Sequence, residues 1–444
     1  GVLPFRKTPA NILARGVEYS PLGFLNGLKK AMFDVRKGNS TAAEAIDSIS
    51  AGLTGTGLLG LGIYLAAQGV VRGLGAGDDD EREFADLRGQ QDYSMIIGDQ
   101  SYTLDWLAPE ALPFFIGVNL YEEMQTTGDG VTPSAILNAV KNVSEPLLSM
   151  TCLQSLNDIF SSIGYASQEG LSGMTNAIAS AATSYLTQAI PTILGQAERT
   201  AQADRMTTYT EKNSFLTGDM QYALGKASSR TPGWDYNQIP YIDAWGRRET
   251  TNSVFVRGMN NFLNPAYAST IESSDMEKEL ERLYGETSAS AVFPSRAAKY
   301  FNVDGERVDL TGEQYVTYAT EKGQTSYKLV TELVGTDYYK KADDADKAEM
   351  VSMVYEYANA IAKTKVSDYK LDGWVAKAAD AEKYGVSLAQ YIQFRTTADA
   401  DGNGSVTQEE AAAAVRKLGL KSKAAKAKLW QSCNAQWKPE SNPF

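Results

Sequence analysis

The chain has 444 residues, 43% of them hydrophobic and 22% charged, close to soluble averages, so composition excludes a polytopic membrane protein. The formal net charge is -12, which argues against a general nucleic-acid-binding surface, because phosphate contacts need clustered Lys and Arg. Histidine is absent, which excludes Ser-His and Cys-His nucleophile pairs and any His-ligated metal; Cys152 and Cys433 stand far apart without a CxxC partner, which excludes a zinc site or disulfide framework and predicts two unpaired thiols.

The chain begins at Gly1 rather than Met, which predicts a processed fragment or the ordered part of something longer, and no signal peptide is predicted. Thr8-Pro9 and Ser20-Pro21 each read as an N-cap with proline at the first helical position, predicting short helices near 9–19 and 21–37 with Gly38 as the stop. Arg6, Lys7, Arg15, Lys29, Lys30, Arg36 and Lys37 outnumber Glu18 and Asp34, so this region is locally basic. Thr41 and Glu44 form a capping-box pattern and open a helix that runs into "AGLTGTGLLGLGIYLAAQGVVRGLGAG".

No residue is charged from Ser48 to Val71, a length that can span roughly 30 Å of hydrocarbon. Gly52, Thr56 and Gly60 recur every fourth residue, as do Gly69, Gly73 and Gly77, and small residues at that spacing let helices approach closely. Two readings follow: a membrane-inserting helix, or a glycine-rich core helix of a soluble bundle. Glycine weakens an isolated helix by about 1 kcal/mol relative to alanine, a penalty that matters less where unmade backbone hydrogen bonds cost more, as in lipid. The first is favoured. "DDDE" at 78–81 ends the apolar run.

Alternating residues around Gly98-Asp99 predict a hairpin over 93–106, followed by an apolar patch at Phe114, Phe115 and Ile116. Residues 134–165 read as an amphipathic helix broken at Pro146, and the uncharged run Gly170 to Ala197 as a small-residue helix that packs inside a bundle or lines an aqueous channel, the first favoured. Pro, Gly and Trp in "TPGWDYNQIPYIDAWGRRE" make 200–270 the best boundary candidate. Asp304-Gly305 predicts a second hairpin over 301–310, capping boxes at Thr311–Gln314 and Ser387–Gln390 predict helices near 312–336 and 387–397, and amphipathic spacing predicts a long helix near 343–366. The predicted fold is mainly α: a multi-helix bundle with one or two short hairpins and a C-terminal EF-hand-like helix–loop–helix. Three regions are expected: 1–200, apolar and helical; 201–300, irregular and connecting; 301–444, charged and helical.

The strongest chemical motif is "DADGNGSVTQEE", Asp399 to Glu410. Asp399, Asp401 and Asn403 supply side-chain oxygens at positions 1, 3 and 5 of a calcium loop, and Gly404 sits where the chain must turn sharply. Ser405 offers its carbonyl, Thr407 contacts the ion directly or through water, and Glu410 closes the loop as a bidentate carboxylate. Val406 is the expected apolar residue at position 8. The predicted cofactor is Ca2+, and with no second loop its predicted role is to hold two helices together. No P-loop, GxGxxG, GxSxG or HExxH is present, so no catalytic residue is nominated and the chain is expected not to be an enzyme.

The phrases "PFRKTPANILARGVEYSPLGFLNGL", "YTLDWLAPEALPFFIG", "IPYIDAWGRRE", "NFLNPAYAS", "VFPSRAAKYFNVDGERVDLTGEQYVTYATEKGQTSY" and "LWQSCNAQWKPESNPF" resemble the C-terminal region of large polyvalent or minor virion proteins of tailed bacteriophages and integrative elements. The resemblance runs from about residue 4 to the end and contains no catalytic motif. It implies a virion protein similar to ejection proteins, which leave the capsid before DNA and build a conduit through the host envelope. The implied partners are further copies of the chain, portal or tail proteins, the host membrane, and phage DNA as passing cargo. The alternatives are a soluble tail or portal-associated structural protein, and a non-catalytic accessory domain of a mobile-element polyprotein.

Overall fold

The computed structural model describes residues 26–34, 37, 39, 41–74, 79–104, 107, 111–128, 139, 200–212, 216–229, 231, 233–250, 268–271, 273–434 and 436–444. The helices expected near 9–19, over 134–165 and within 170–197 therefore lie wholly or almost wholly outside the described residues, as do Gly77 and Cys152. The described chain is mainly helical, with three small antiparallel sheets. It divides into two compact units: Gly1–Ala203, Phe215–Tyr236 and Thr251–Glu272 form one; Asp204–Ser214, Asn237–Thr250 and Ser273–Phe444 form the other.

In the first unit, residues 26–29 are helical and continue into a π-turn, Lys30–Asp34. This short helix lies against the beginning of α1 (Ala42–Ala67), where Lys30 donates to Ser48 Oγ at 3.0 Å. Helix α1 starts where the sequence predicts it. Thr41 Oγ1 accepts from the Glu44 N–H at 3.2 Å, and Glu44 Oε2 accepts from the Thr41 N–H at 3.0 Å, satisfying two of the N–H groups a helix start leaves unmade. It ends before Gly69, whose φ of +68° is a conformation glycine adopts without the cost a side chain would bring, with Val70 N–H returned to Leu65 O at 3.0 Å.

Strand β1 (Val71–Arg72), helix α2 (Asp79–Leu87), strands β2 (Ser94–Ile97) and β3 (Gln100–Thr103) and helix α3 (Leu112–Thr127) follow. The expected hairpin turn at Gly98-Asp99 joins β2 to β3, with Ile97 opposite Gln100. A further strand from far along the chain, Ala268–Thr270, pairs with β3 and completes their four-stranded antiparallel sheet. Phe114, Phe115 and Val118 of α3 pack with Ala66, Val71 and Tyr93 into the core, and the Tyr93 and Phe115 rings meet edge-on at 5.2 Å.

The second unit begins with β4 (Met206–Thr208). Helix α4 (Gly218–Ser228) belongs to the first unit, as does β6 (Ala268–Thr270), while β5 (Gln238–Pro240) pairs antiparallel with β4. Among the described residues of 200–270, three-residue strands form by pairing with partners that local sequence does not reveal. Helix α5 (Asp275–Thr287) opens on a Ser274–Glu277 capping box, and buried Glu277 also accepts from the Trp245 indole at 3.0 Å.

Strands β7 (Tyr300–Val303) and β8 (Glu306–Asp309) form the second expected hairpin. Asp304 and Gly305 both have positive φ, 51° and 85°, as a tight two-residue turn of the favoured hand requires. Helices α6 (Gly312–Val334), α7 (Asp337–Lys341), α8 (Asp344–Thr364), α9 (Gly373–Glu382), α10 (Leu388–Thr397), α11 (Gln408–Lys417) and α12 (Lys423–Cys433) complete the unit. Leu280, Leu283, Val330, Leu333, Val351, Val354 and Ala358 lie buried in its core.

Candidate metal loop and apolar helix

The loop between α10 and α11 gathers the residues that the calcium pattern singles out. Ligand oxygens of Asp399, Asp401 and Glu410 all lie within 4.8 Å of one another. Two oxygens on opposite sides of a calcium ion, each bonded at roughly 2.4 Å, are separated by about that distance, so the three carboxylates can reach one ion. Gly402 and Gly404 turn the loop, with φ of +69° and +82°.

The loop's own hydrogen bonds explain why it closes without help. Asp399 accepts from the backbone N–H groups of Asn403 (3.1 Å) and Gly404 (2.9 Å). The Asn403 amide donates to Asp401 at 2.7 Å, and Asn403 Oδ1 accepts from the Ser405 N–H at 2.8 Å. Glu410 is both the twelfth residue of the pattern and the N3 residue of the capping box of α11. Its carboxylate accepts from the Thr407 N–H (2.9 Å) and hydroxyl (2.8 Å). Those bonds, with others from the backbone at Ala400 and Asp401, hold its carboxyl below the usual range, so it is an ionised oxygen donor at neutral pH.

The flanking helices fix the loop. Ile392 and Phe394 of α10 and Ala411, Ala414 and Val415 of α11 are buried, and Val406 is half-buried. The Trp430 indole of α12 donates to Gln408 O at 3.1 Å, at the first turn of α11. Nothing in the motif itself points to Trp430; its apolar position in α12 was the only signal. Cys433, on the same helix, is a half-buried free thiol whose pKa burial pushes up to about 11, so it is inert at neutral pH.

The apolar helix is the second candidate. The span Ala43–Ala67 is, by length and composition, long and apolar enough to cross a membrane, and most of its apolar stretch is not buried. Ser48, Ala51, Gly52, Gly55, Gly62 and Ala66 form the buried face, whereas Ile46, Leu53, Leu61 and Tyr64 are exposed.

The four-residue spacing predicts small packing residues at Gly52, Thr56, Gly60, Gly69, Gly73 and Gly77. Gly52 is buried, and Thr56 spends its hydroxyl within the helix, donating to Gly52 O at 2.6 Å. Gly60 is exposed, with open space where a Cβ would point, and Gly69 serves as the helix stop. Among the described residues, the close approach of α1 to α3 is made by Gly62 and Gly117: a Cβ on either would overlap the partner helix's backbone, at Phe114 O and Leu59 O respectively. Gly73 is tight for another reason, since the Asn119 and Glu122 side chains lie against it.

No protein family, curated protein or solved structure was found to match this chain.

Proposed function

We propose that this chain is an internal virion protein of the ejection type, which self-associates and inserts α1 into the host envelope during genome delivery. The observation that carries the reading is α1 itself: uncharged from Ser48 onward, 25 residues long by its apolar span, and exposed at Leu53, Leu61 and Tyr64. The sequence resemblance to phage virion proteins supports it. The protein acts by structure rather than catalysis, with portal or tail proteins and the membrane as partners and DNA as cargo. Its sites of action are the virion and then the host envelope. Purified protein is expected to release dye from bilayer vesicles; no leakage together with no vesicle association would overturn the reading.

The C-terminal loop is proposed to be an EF-hand-like calcium site. Asp399, Asp401, Asn403 and Glu410 would hold the ion by side-chain oxygens, Ser405 by its carbonyl, and Thr407 directly or through water. Calcium would neutralise the converging carboxylates and tie α10 to α11. Isothermal titration with Ca2+ tests this: absence of heat in the wild type would remove the site.

A second reading has its own observation. The Gly62–Gly117 approach buries one face of α1 against α3, as in a soluble bundle. It expects a monodisperse particle without detergent and no partition into vesicles.

A further inference from the structure

Where the chain leaves α1, polar groups from three elements meet in the interior. Glu122 Oε1 accepts from the Gly73 N–H at 2.7 Å, and Asn119 Oδ1 accepts from the Leu74 N–H at 3.2 Å. Both side chains come from α3, and Asn119 is 3% exposed. The Asn119 amide also donates to Tyr93 Oη at 3.0 Å, and the Tyr93 N–H donates back to Gly73 O at 2.8 Å. Gly73 is therefore held by both of its backbone polar groups. Tyr93 makes these bonds from a positive φ of 46°, a strained conformation for an aromatic residue. Beside them Arg72 donates to Gln90 O at 2.6 Å and lies 3.8 Å from Asp92, whose Oδ1 is turned inward.

While these contacts persist, the chain leaving α1 is tied to α3 through Glu122 and Asn119, so α1 cannot part from α3 to enter lipid by itself. We propose that the Gly73–Leu74 segment, gripped by Asn119 and Glu122 and by Tyr93, is an autoinhibitory latch that keeps α1 packed on α3 until insertion. The proposal rests on the reading of α1 as the membrane-inserting element.

The latch can be locked. A Cβ at position 73 would lie 3.2 Å from Asn119 Cγ, the place a cysteine sulfur would take at position 119, and close to the Cβ-to-sulfur separation across a disulfide. The full chain carrying Gly73→Cys and Asn119→Cys, with Cys152→Ser and Cys433→Ser, is floated with phosphatidylethanolamine–phosphatidylglycerol vesicles. The reduced protein is expected to float, and oxidation to cut the bound fraction about tenfold. Equal flotation of both forms, or failure of the disulfide to form, overturns the latch. Independently, Asn119→Ala should speed hydrogen exchange across 43–67 about tenfold, the effect of losing a buried hydrogen bond, while 312–334 stays unchanged. Unchanged exchange overturns the latch whatever the vesicles do. Faster exchange with no flotation of any form overturns the membrane reading and, with it, the inhibitory role.

Discussion

The α1–α3 pair and the α10–α11 pair solve the same problem, joining two helices, with opposite chemistry. The first is joined by what is missing: Gly62 and Gly117 lack side chains, so backbone meets backbone. The second is joined by a loop that bonds to itself and brings carboxylate oxygens of Asp399, Asp401 and Glu410 within 4.8 Å of one another. A glycine contact is rigid and indifferent to solution conditions, whereas a carboxylate cluster responds to cations and protons. The apolar pair is thus set by shape, and, on the proposed calcium reading, the acidic pair by its ionic surroundings.

The largest effect should come from Gly62→Leu, which forces side-chain atoms into the Phe114 carbonyl. It is expected to cost about 3 kcal/mol, read by urea unfolding of the first unit. Gly60→Leu is the matched control, with open space at its Cβ; it should leave folding within about 1 kcal/mol, tilted toward stability by helix propensity. If Gly60→Leu nevertheless abolishes oligomers, Gly60 packs between copies.

Next in size is calcium. At a concentration one hundred times the dissociation constant, bound ion should add about 2.7 kcal/mol to the second unit, seen as a melting temperature that falls on chelation. Glu410→Gln should remove that dependence. Thr407→Ala separates the two duties of the loop, since loss of the cap costs about 1 kcal/mol even without metal.

The smallest effect is the response to acid, and it has opposite signs in the two units. Burial, reinforced by the nearby Asp86, pushes the Asp92 carboxyl up to about 7. The folded first unit therefore binds a proton before the unfolded chain does, and its stability rises as pH falls from about 7 toward 4. With 36% of the side chain exposed, solvent screening keeps the gain near about 1 kcal/mol, and Asp92→Asn should flatten it. In the second unit, Thr407 holds Glu410 below its ordinary value, and hydrogen bonds from Arg282 and then Lys347 lower Asp344 to about 2. Those contributions are present at neutral pH and vanish as pH falls from about 5 toward 2. Hydrogen exchange at pH 7 and pH 4, resolved by unit, checks both signs.

Much of this was legible in the sequence, for local reasons. Thr41–Glu44, Thr311–Gln314 and Ser387–Gln390 each cap the helix they announce, because a capping box lies within four residues. Gly98-Asp99 and Asp304-Gly305 turn their hairpins for the same reason. What stayed hidden depends on distant chain. Strand β6 pairs Thr270 with Gln100, and nothing in "AST" records that partner. The glycines of α1 point in several directions, so spacing alone could not distinguish Gly62, which meets α3, from Gly60, which does not. The grip on Gly73 by Asn119 and Glu122 was invisible because it joins β1 to α3 across the intervening hairpin.

The most direct test of the central claim follows α1 into lipid. Leu53 is 61% exposed on its apolar face. With Cys152→Ser and Cys433→Ser, Leu53→Cys can carry an environment-sensitive fluorophore. On mixing with vesicles containing nitroxide-labelled lipids, the fluorophore should shift to the blue and be quenched by nitroxides deep in the acyl chains. Emission that neither shifts nor is quenched would contradict the account.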